Sequence, residues 1–171
     1  LETDAETAAA RWGVSNPGGA RAAFMQNRTQ PTILELIQFK NPPGRYLREP
    51  GPPLETGLYS VALRVKDLES EYRALMANGF QFLSPPCTYH ADWVGVKIGE
   101  AIVFGPGRTA VPLIQRLTNP VPIDGRFGDF TDSAQIVDDM PEAESFYTHI
   151  CGLPKLFDKT LPAGMVNHIL A

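Results

Sequence analysis

The sequence is poor in the residues that usually announce a function. It has two cysteines and three histidines. Cys87 and Cys151 form neither a metal-type spacing nor a disulfide framework, so a reduced, cytoplasmic setting is the default expectation. His90, His149 and His168 stand far apart and make no ligand motif. No apolar run approaches the roughly 20 residues of a membrane span, and no secretory leader is visible. Positive charge is not in excess: the net charge of −4 argues against non-specific nucleic-acid binding. No Ser/His/Asp or Cys/His arrangement stands out. Gly105-Pro106-Gly107-Arg108 looks like a phosphate cradle but lacks the strand–loop–helix setting, and reads as a hairpin turn.

What is present is an ordinary globular composition, 43% apolar and 20% charged over 171 residues. That suffices for one or two small domains with a real core. The 16 prolines cluster. Asn41-Pro42-Pro43-Gly44 and Pro50-Gly51-Pro52-Pro53 bracket a segment that is neither regular helix nor central strand. Asn119-Pro120-Val121-Pro122 repeats the signal further on, and Pro85-Pro86 is expected to end a short strand, 81–84.

The chain also repeats itself. Val65-Lys66-Asp67-Leu68, leading into a helical pattern that ends at Asn78-Gly79, returns as Val137-Asp138-Asp139-Met140, leading into one that ends at Gly152. Leu34-Glu35-Leu36-Ile37-Gln38 returns as Val111-Pro112-Leu113-Ile114-Gln115. A period of about 75 residues means a duplicated structural unit. The echoes divide the chain into the C-terminal part of a first unit (1–48), a Pro-rich linker (49–56), a complete unit (57–118), a second linker (119–129) and the N-terminal part of a further unit (130–171). Either the chain is a piece of a longer one, or the two partial units build one unit together, within a chain or between chains.

Within the complete unit, 59–65 alternates as a strand, with Tyr59, Val61, Leu63 and Val65 on one face and Ser60, Ala62 and Arg64 on the other. Asp67 is a natural helix N-cap. Leu68, Tyr72, Leu75 and Met76 then form one apolar stripe, Glu69 and Arg73 are spaced to pair, and Gly79 suits the helix end. Residues 94–98 and 101–104 read as a hairpin turning at Gly99-Glu100, and 111–117 as a last strand, giving β-α-β-β-β. In the third segment, 132–137 reads as a strand. Asp139 and Pro141 start a helix whose stripe is Met140, Ala143, Tyr147 and Ile150. The first segment offers a helical or irregular stretch at 4–12, a turn at Asn16-Pro17-Gly18-Gly19 and strands at 20–26 and 33–39.

These units, with the strand-to-helix entries at Val65–Leu68 and Val137–Met140, the stretch Ala143-Glu144-Ser145-Phe146-Tyr147 through Cys151-Gly152-Leu153, and the closing-strand pattern Ile33–Gln38, resemble the vicinal-oxygen-chelate superfamily. That group includes glyoxalase I, methylmalonyl-CoA epimerase, extradiol dioxygenases and the fosfomycin and bleomycin resistance proteins. Cys151 stands where the family usually has Leu. The resemblance implies an α+β fold of tandem βαβββ modules, with curved mixed β-sheets and helices on the convex face. It also implies a homodimer formed through module pairing as one route to a complete site.

The same resemblance implies a site. Family ligands come from the first and last strands of paired units. Glu35 falls at the carboxylate position of a closing strand, as a metal ligand or, without metal, a catalytic base. In the complete unit those positions hold Ser60 and Pro112, which are poor ligands for a divalent ion. In the third segment the position holds Asp132. Ser60 and Arg64 are the expected substrate-binding residues, Arg64 being suited to a substrate carboxylate, and Arg64 is also the candidate partner of Glu35. The metal, if used, would be Fe, Mn, Zn, Ni or Mg; it sits in another unit pair, or this chain works without one. Two functions follow for a small oxygen-bearing substrate. One is metal-assisted lyase, isomerase or dioxygenase chemistry; the other is metal-free sequestration of a drug or toxin.

Overall fold

The computed structural model describes residues 1–27, 32–41, 56–92, 94–158 and 160. The chain divides into two compact units, Leu1–Glu49 and Pro50–Ala171. Both are built of strands and helices, so the fold class is α+β. Most of the expected linker 49–56, together with Trp93 and His168, lies outside the described residues. Among the described residues no helix is long and apolar enough to cross a membrane.

The first unit is a three-stranded antiparallel sheet of β1 (Glu2–Thr3), β2 (Ala20–Gln26) and β3 (Ile33–Phe39), in that order, with helix α1 (Ala5–Trp12) between β1 and β2. The Asp4 carboxylate accepts from the Thr7 N–H at 2.8 Å and caps the helix. That bond holds the Asp4 carboxyl below its ordinary value. Gly13 closes α1 in the left-handed region, φ 63°, its N–H donating to the Ala9 carbonyl. Trp12 meets Phe39 edge-on at 5.8 Å.

The second unit is a five-stranded mixed sheet. Its strands are β4 (Gly57–Val65), β5 (Phe82–Ala91), β6 (Val96–Phe104), β7 (Ala110–Arg116) and β8 (Phe127–Ile136). Their order is β5-β6-β7-β4-β8, with β4 and β7 parallel and the other neighbours antiparallel. Helix α2 (Leu68–Ala77) follows β4, and the short α3 (Met140–Ser145) with a π turn at Phe146–Ile150 follows β8.

One face of this sheet packs on α2. Val65, Ala101, Val103 and Leu113 form a buried cluster with Leu68, and Tyr72 and Leu75 pack against it. Tyr72 stands edge-on to Phe82 at 4.6 Å. Asp67 caps α2 through the Ser70 N–H at 3.1 Å. Gln115 of β7 accepts from the Leu68 N–H at 2.9 Å and donates to the Lys66 carbonyl at 3.0 Å, so it fixes the helix start to the sheet. Gly99 faces Leu68: a Cβ there would stand 3.2 Å from Leu68 Cδ2. Glu71 is buried on α2, and Arg126 donates to both its carboxylate oxygens, at 2.8 and 2.5 Å. Leu75 is only partly buried and Met76 is 48% exposed, so the stripe covers the sheet through Leu68, Tyr72 and Leu75. Leu75→Ala should cost about 1–3 kcal/mol and Met76→Ala much less, as read by denaturant midpoints.

Several expected boundaries move. Residues 96–104 form one continuous strand rather than a hairpin at Gly99-Glu100, and this strand pairs antiparallel with β5, Ala91 opposite Val96. Pro85-Pro86 lies inside β5, within a register shift between Ser84 and Cys87. β5 is an edge strand, where the missing N–H groups are tolerated. The third-segment strand begins at Phe127, inside the expected second linker. The helix after it is one and a half turns before its π turn, and Met140, Tyr147 and Ile150 of its expected stripe are 59%, 40% and 75% exposed.

Candidate functional site

The sheet face opposite the α2 cluster forms the wall of a cleft of about 620 Å³, lined by residues of all five strands of the second unit. Strand alternation explains who faces it. On β6, Ala101 and Val103 point to α2, so Ile98, Glu100 and Ile102 point to the cleft. On β7, Leu113 points to α2 and Pro112, Ile114 and Arg116 to the cleft. β4 adds Ser60 and Arg64, and β5 adds Tyr89. β8 adds Thr131, Asp132 and Ala134. Its pairing with β4 slips between Ser133 and Phe130, where three steps along β8 match two along β4. Such a bulge re-aims side chains, and here the consecutive Thr131 and Asp132 both line the cleft.

The centre of the wall is Glu100, only 7% exposed. The Tyr89 hydroxyl donates to its carboxylate. Burial pushes the Glu100 carboxyl above its ordinary value; the Asp132 charge adds to this and the Tyr89 hydrogen bond opposes it. Burial and then the Glu100 charge push the Tyr89 phenol up, so it stays a donor. Cys87 beside them is raised by burial first and by Glu100 second. Asp132 accepts from the Thr131 hydroxyl at 2.6 Å.

Of the residues expected from the sequence, the cleft brings together Ser60, Arg64 and Asp132, with Pro112 beside them. Ser60 is buried, 2% exposed. Arg64 pairs with Asp129 at 3.2 Å. Glu35 lies on β3 of the first unit, where its carboxylate pairs with Arg11 of α1 at 3.1 Å. Arg11 also lies over the Trp12 and Phe24 rings, 4.9 and 5.9 Å from their centroids. Ile33 and Ile37, on the same strand face as Glu35, are 55% and 39% exposed. His90 stands near the end of β5, not in a loop, and meets Asp92 at 2.8 Å. His149 lies in the π turn near Ser145 and Thr148.

Two charged cleft residues escaped the sequence reading, Glu100 and Arg116, whereas the sequence leaves Tyr89 open as a pocket wall or core residue. The signal for Glu100 was available. If 96–104 is taken as one strand, Glu100 falls between Ile98 and Ile102 on an apolar face, an expensive place for a carboxylate. Gly99 disguised it as a turn.

Among the described residues no group of three or more His, Cys, Asp or Glu side chains is arranged to hold a metal ion. The cleft offers two carboxylates, Glu100 and Asp132, and no imidazole. Among the described residues these two carboxylates are the cleft's candidate donors for the divalent ion that the resemblance implies. Neither a family model, nor a characterised protein, nor a solved structure matches the chain. The functional reading therefore rests on the cleft.

Proposed function

We propose that the second unit binds a small oxygen-bearing molecule in this cleft, with Glu100 as the polar group that meets the ligand's oxygen. The observation that carries the reading is Glu100 itself. A carboxyl group buried on an otherwise apolar wall costs stability unless it has a use or a partner, and a titratable group perturbed by burial in a cleft is a functional candidate. With its carboxyl pushed toward the protonated form, Glu100 can donate a hydrogen bond to a carbonyl or enolate-like oxygen while Tyr89 donates to Glu100. Val96, Ile98, Ile102 and Ile114 would enclose the ligand's apolar part.

The element order β4-α2-β5-β6-β7 followed by β8-α3 supports a βαβββ unit followed by the start of another, in the manner of the vicinal-oxygen-chelate superfamily. In that reading α2 lies on the convex face, and Ser60, Pro112 and Asp132 occupy the family's ligand positions. In that reading the chain holds its ligand by sequestration, as the bleomycin-resistance branch does. Metal-assisted lyase, isomerase or dioxygenase chemistry is the second reading, with Asp132 as a candidate ligand in this cleft and Glu35 as one within the first unit. Backbone amide NMR of the full chain, titrated with small aromatic and carbonyl compounds, tests the proposal. Shifts should concentrate at 98–102 and 112–116, and Ile114→Trp, which fills the cleft, should abolish them. Shifts elsewhere only, or unchanged binding in the Trp variant, would remove it.

A further inference from the structure

We propose that the ligand of this cleft carries a carboxylate, captured by the guanidinium of Arg116 beside Glu100. The inference rests on the reading of the cleft as a small-molecule site and names the chemistry that site selects.

Two arginines line the cleft, and they differ in what they already hold. Arg64 is spoken for: its Nε donates to Asp129 at 3.2 Å. Among the described residues, the buried Nε of Arg116 has no hydrogen-bond partner. The residue itself is only partly buried and lines the cleft, so an anionic ligand there would give its guanidinium an acceptor.

The register fixes what stands beside it. Ile98 of β6 faces Arg116, and Glu100 faces Ile114. Arg116 and Glu100 are therefore diagonal neighbours on one sheet face, a spacing of roughly 7–8 Å. Tyr89 faces Ile98 from the other side and holds Glu100. The Glu100 carboxyl is engaged by the Tyr89 hydroxyl, and no ion pair joins it to Arg116 among the described residues. Asp132, the other cleft carboxylate, stands on β8, with β4 between it and β7, and accepts from Thr131. The planar fork of Arg116 matches a carboxylate through two parallel hydrogen bonds. A carbonyl or hydroxyl oxygen next along the ligand would reach toward Glu100, and the apolar remainder would lie over Ile98 and Ile114.

Phenylacetate and phenylacetamide test this, since they differ only in the charged group. Each is titrated into the full chain and followed by amide shifts of the cleft strands. Phenylacetate should bind about tenfold more tightly or better, the usual worth of a hydrogen bond to a charged group. Arg116→Gln should remove that preference by weakening phenylacetate alone. Arg73→Gln, on the exposed side of α2 where Arg73 pairs with Glu69, should leave it intact. Equal affinity of the two probes in the parent protein, or a preference that survives in Arg116→Gln, would overturn the inference while leaving the small-molecule reading in place. If neither probe shifts the cleft strands, that reading fails and this inference fails with it. Should Arg116→Gln not fold, the comparison in the parent decides alone.

Discussion

Leu113→Ala is expected to lower the stability of the second unit by about 2–5 kcal/mol. Leu113 is 1% exposed and sits at the middle of the β7 side of the core cluster. β7 lies between β6 and β4, pairing with both, so its neighbours have little room to collapse into the vacated space. Its register partner on β4 is Leu63, and on β6 Ala101. Ala101 is already small and cannot swing in to fill the hole. The large end of the range is therefore the expectation. A denaturant titration with an unchanged slope and a lower midpoint would show it. A loss below about 1 kcal/mol would mean that the sheet face under α2 is not packed as described.

Glu100→Gln should make the protein more stable at neutral pH and flatten its stability against pH. The sign follows from linkage. Burial raises the Glu100 carboxyl in the folded state, so between the unfolded value, about 4.3, and the higher folded value the native chain holds a proton that the unfolded chain has lost. Stability then falls as pH rises through that window. The contribution is whole below the unfolded value and gone above the folded one. Gln keeps the shape of the protonated acid, and its carbonyl can still accept from Tyr89, but it never pays for ionising. The two proteins should have similar stability near pH 4 and diverge above it. If the variant were less stable than the parent at every pH, Glu100 would be an ordinary stabilising carboxylate.

Much of the fold was legible wherever local chemistry and periodicity agreed. Strands 20–26 and 33–39 carry continuous extended patterns bounded by turn residues, and they form as β2 and β3. Asp67 and Gly79 bracket α2 because an N-cap carboxylate and a left-handed glycine answer local needs of the helix ends. The misreadings came where a residue served tertiary structure. Gly99 looks like a turn, yet it sits mid-strand because Leu68 leaves no room for a side chain. Pro85-Pro86 looks like a break, yet an edge strand absorbs it by a register slip. Phe127 opens β8 because that strand pairs with β4, a non-local contact that the local sequence does not announce.

The candidate site divides the same way. The faces of β4 and the position of Asp132 could be read from alternation and repeat, and Ser60, Arg64 and Asp132 do share a cleft. Their charge partners could not. Arg64 takes Asp129, and Glu35 takes Arg11, through contacts set by packing rather than by spacing. Arg116 and Glu100 become neighbours only through the β6–β7 register.

The central claim is that the cleft is built around a buried acid whose carboxyl burial raises, and its most direct test is the titration of Glu100 itself. Side-chain carboxyl carbon NMR of the full chain, assigned by Glu100→Gln, gives the midpoint. The account predicts a Glu100 midpoint clearly above the ordinary glutamate value of about 4.3, moving further when a cleft ligand binds. A midpoint at or below that value, unmoved by ligand, would contradict it.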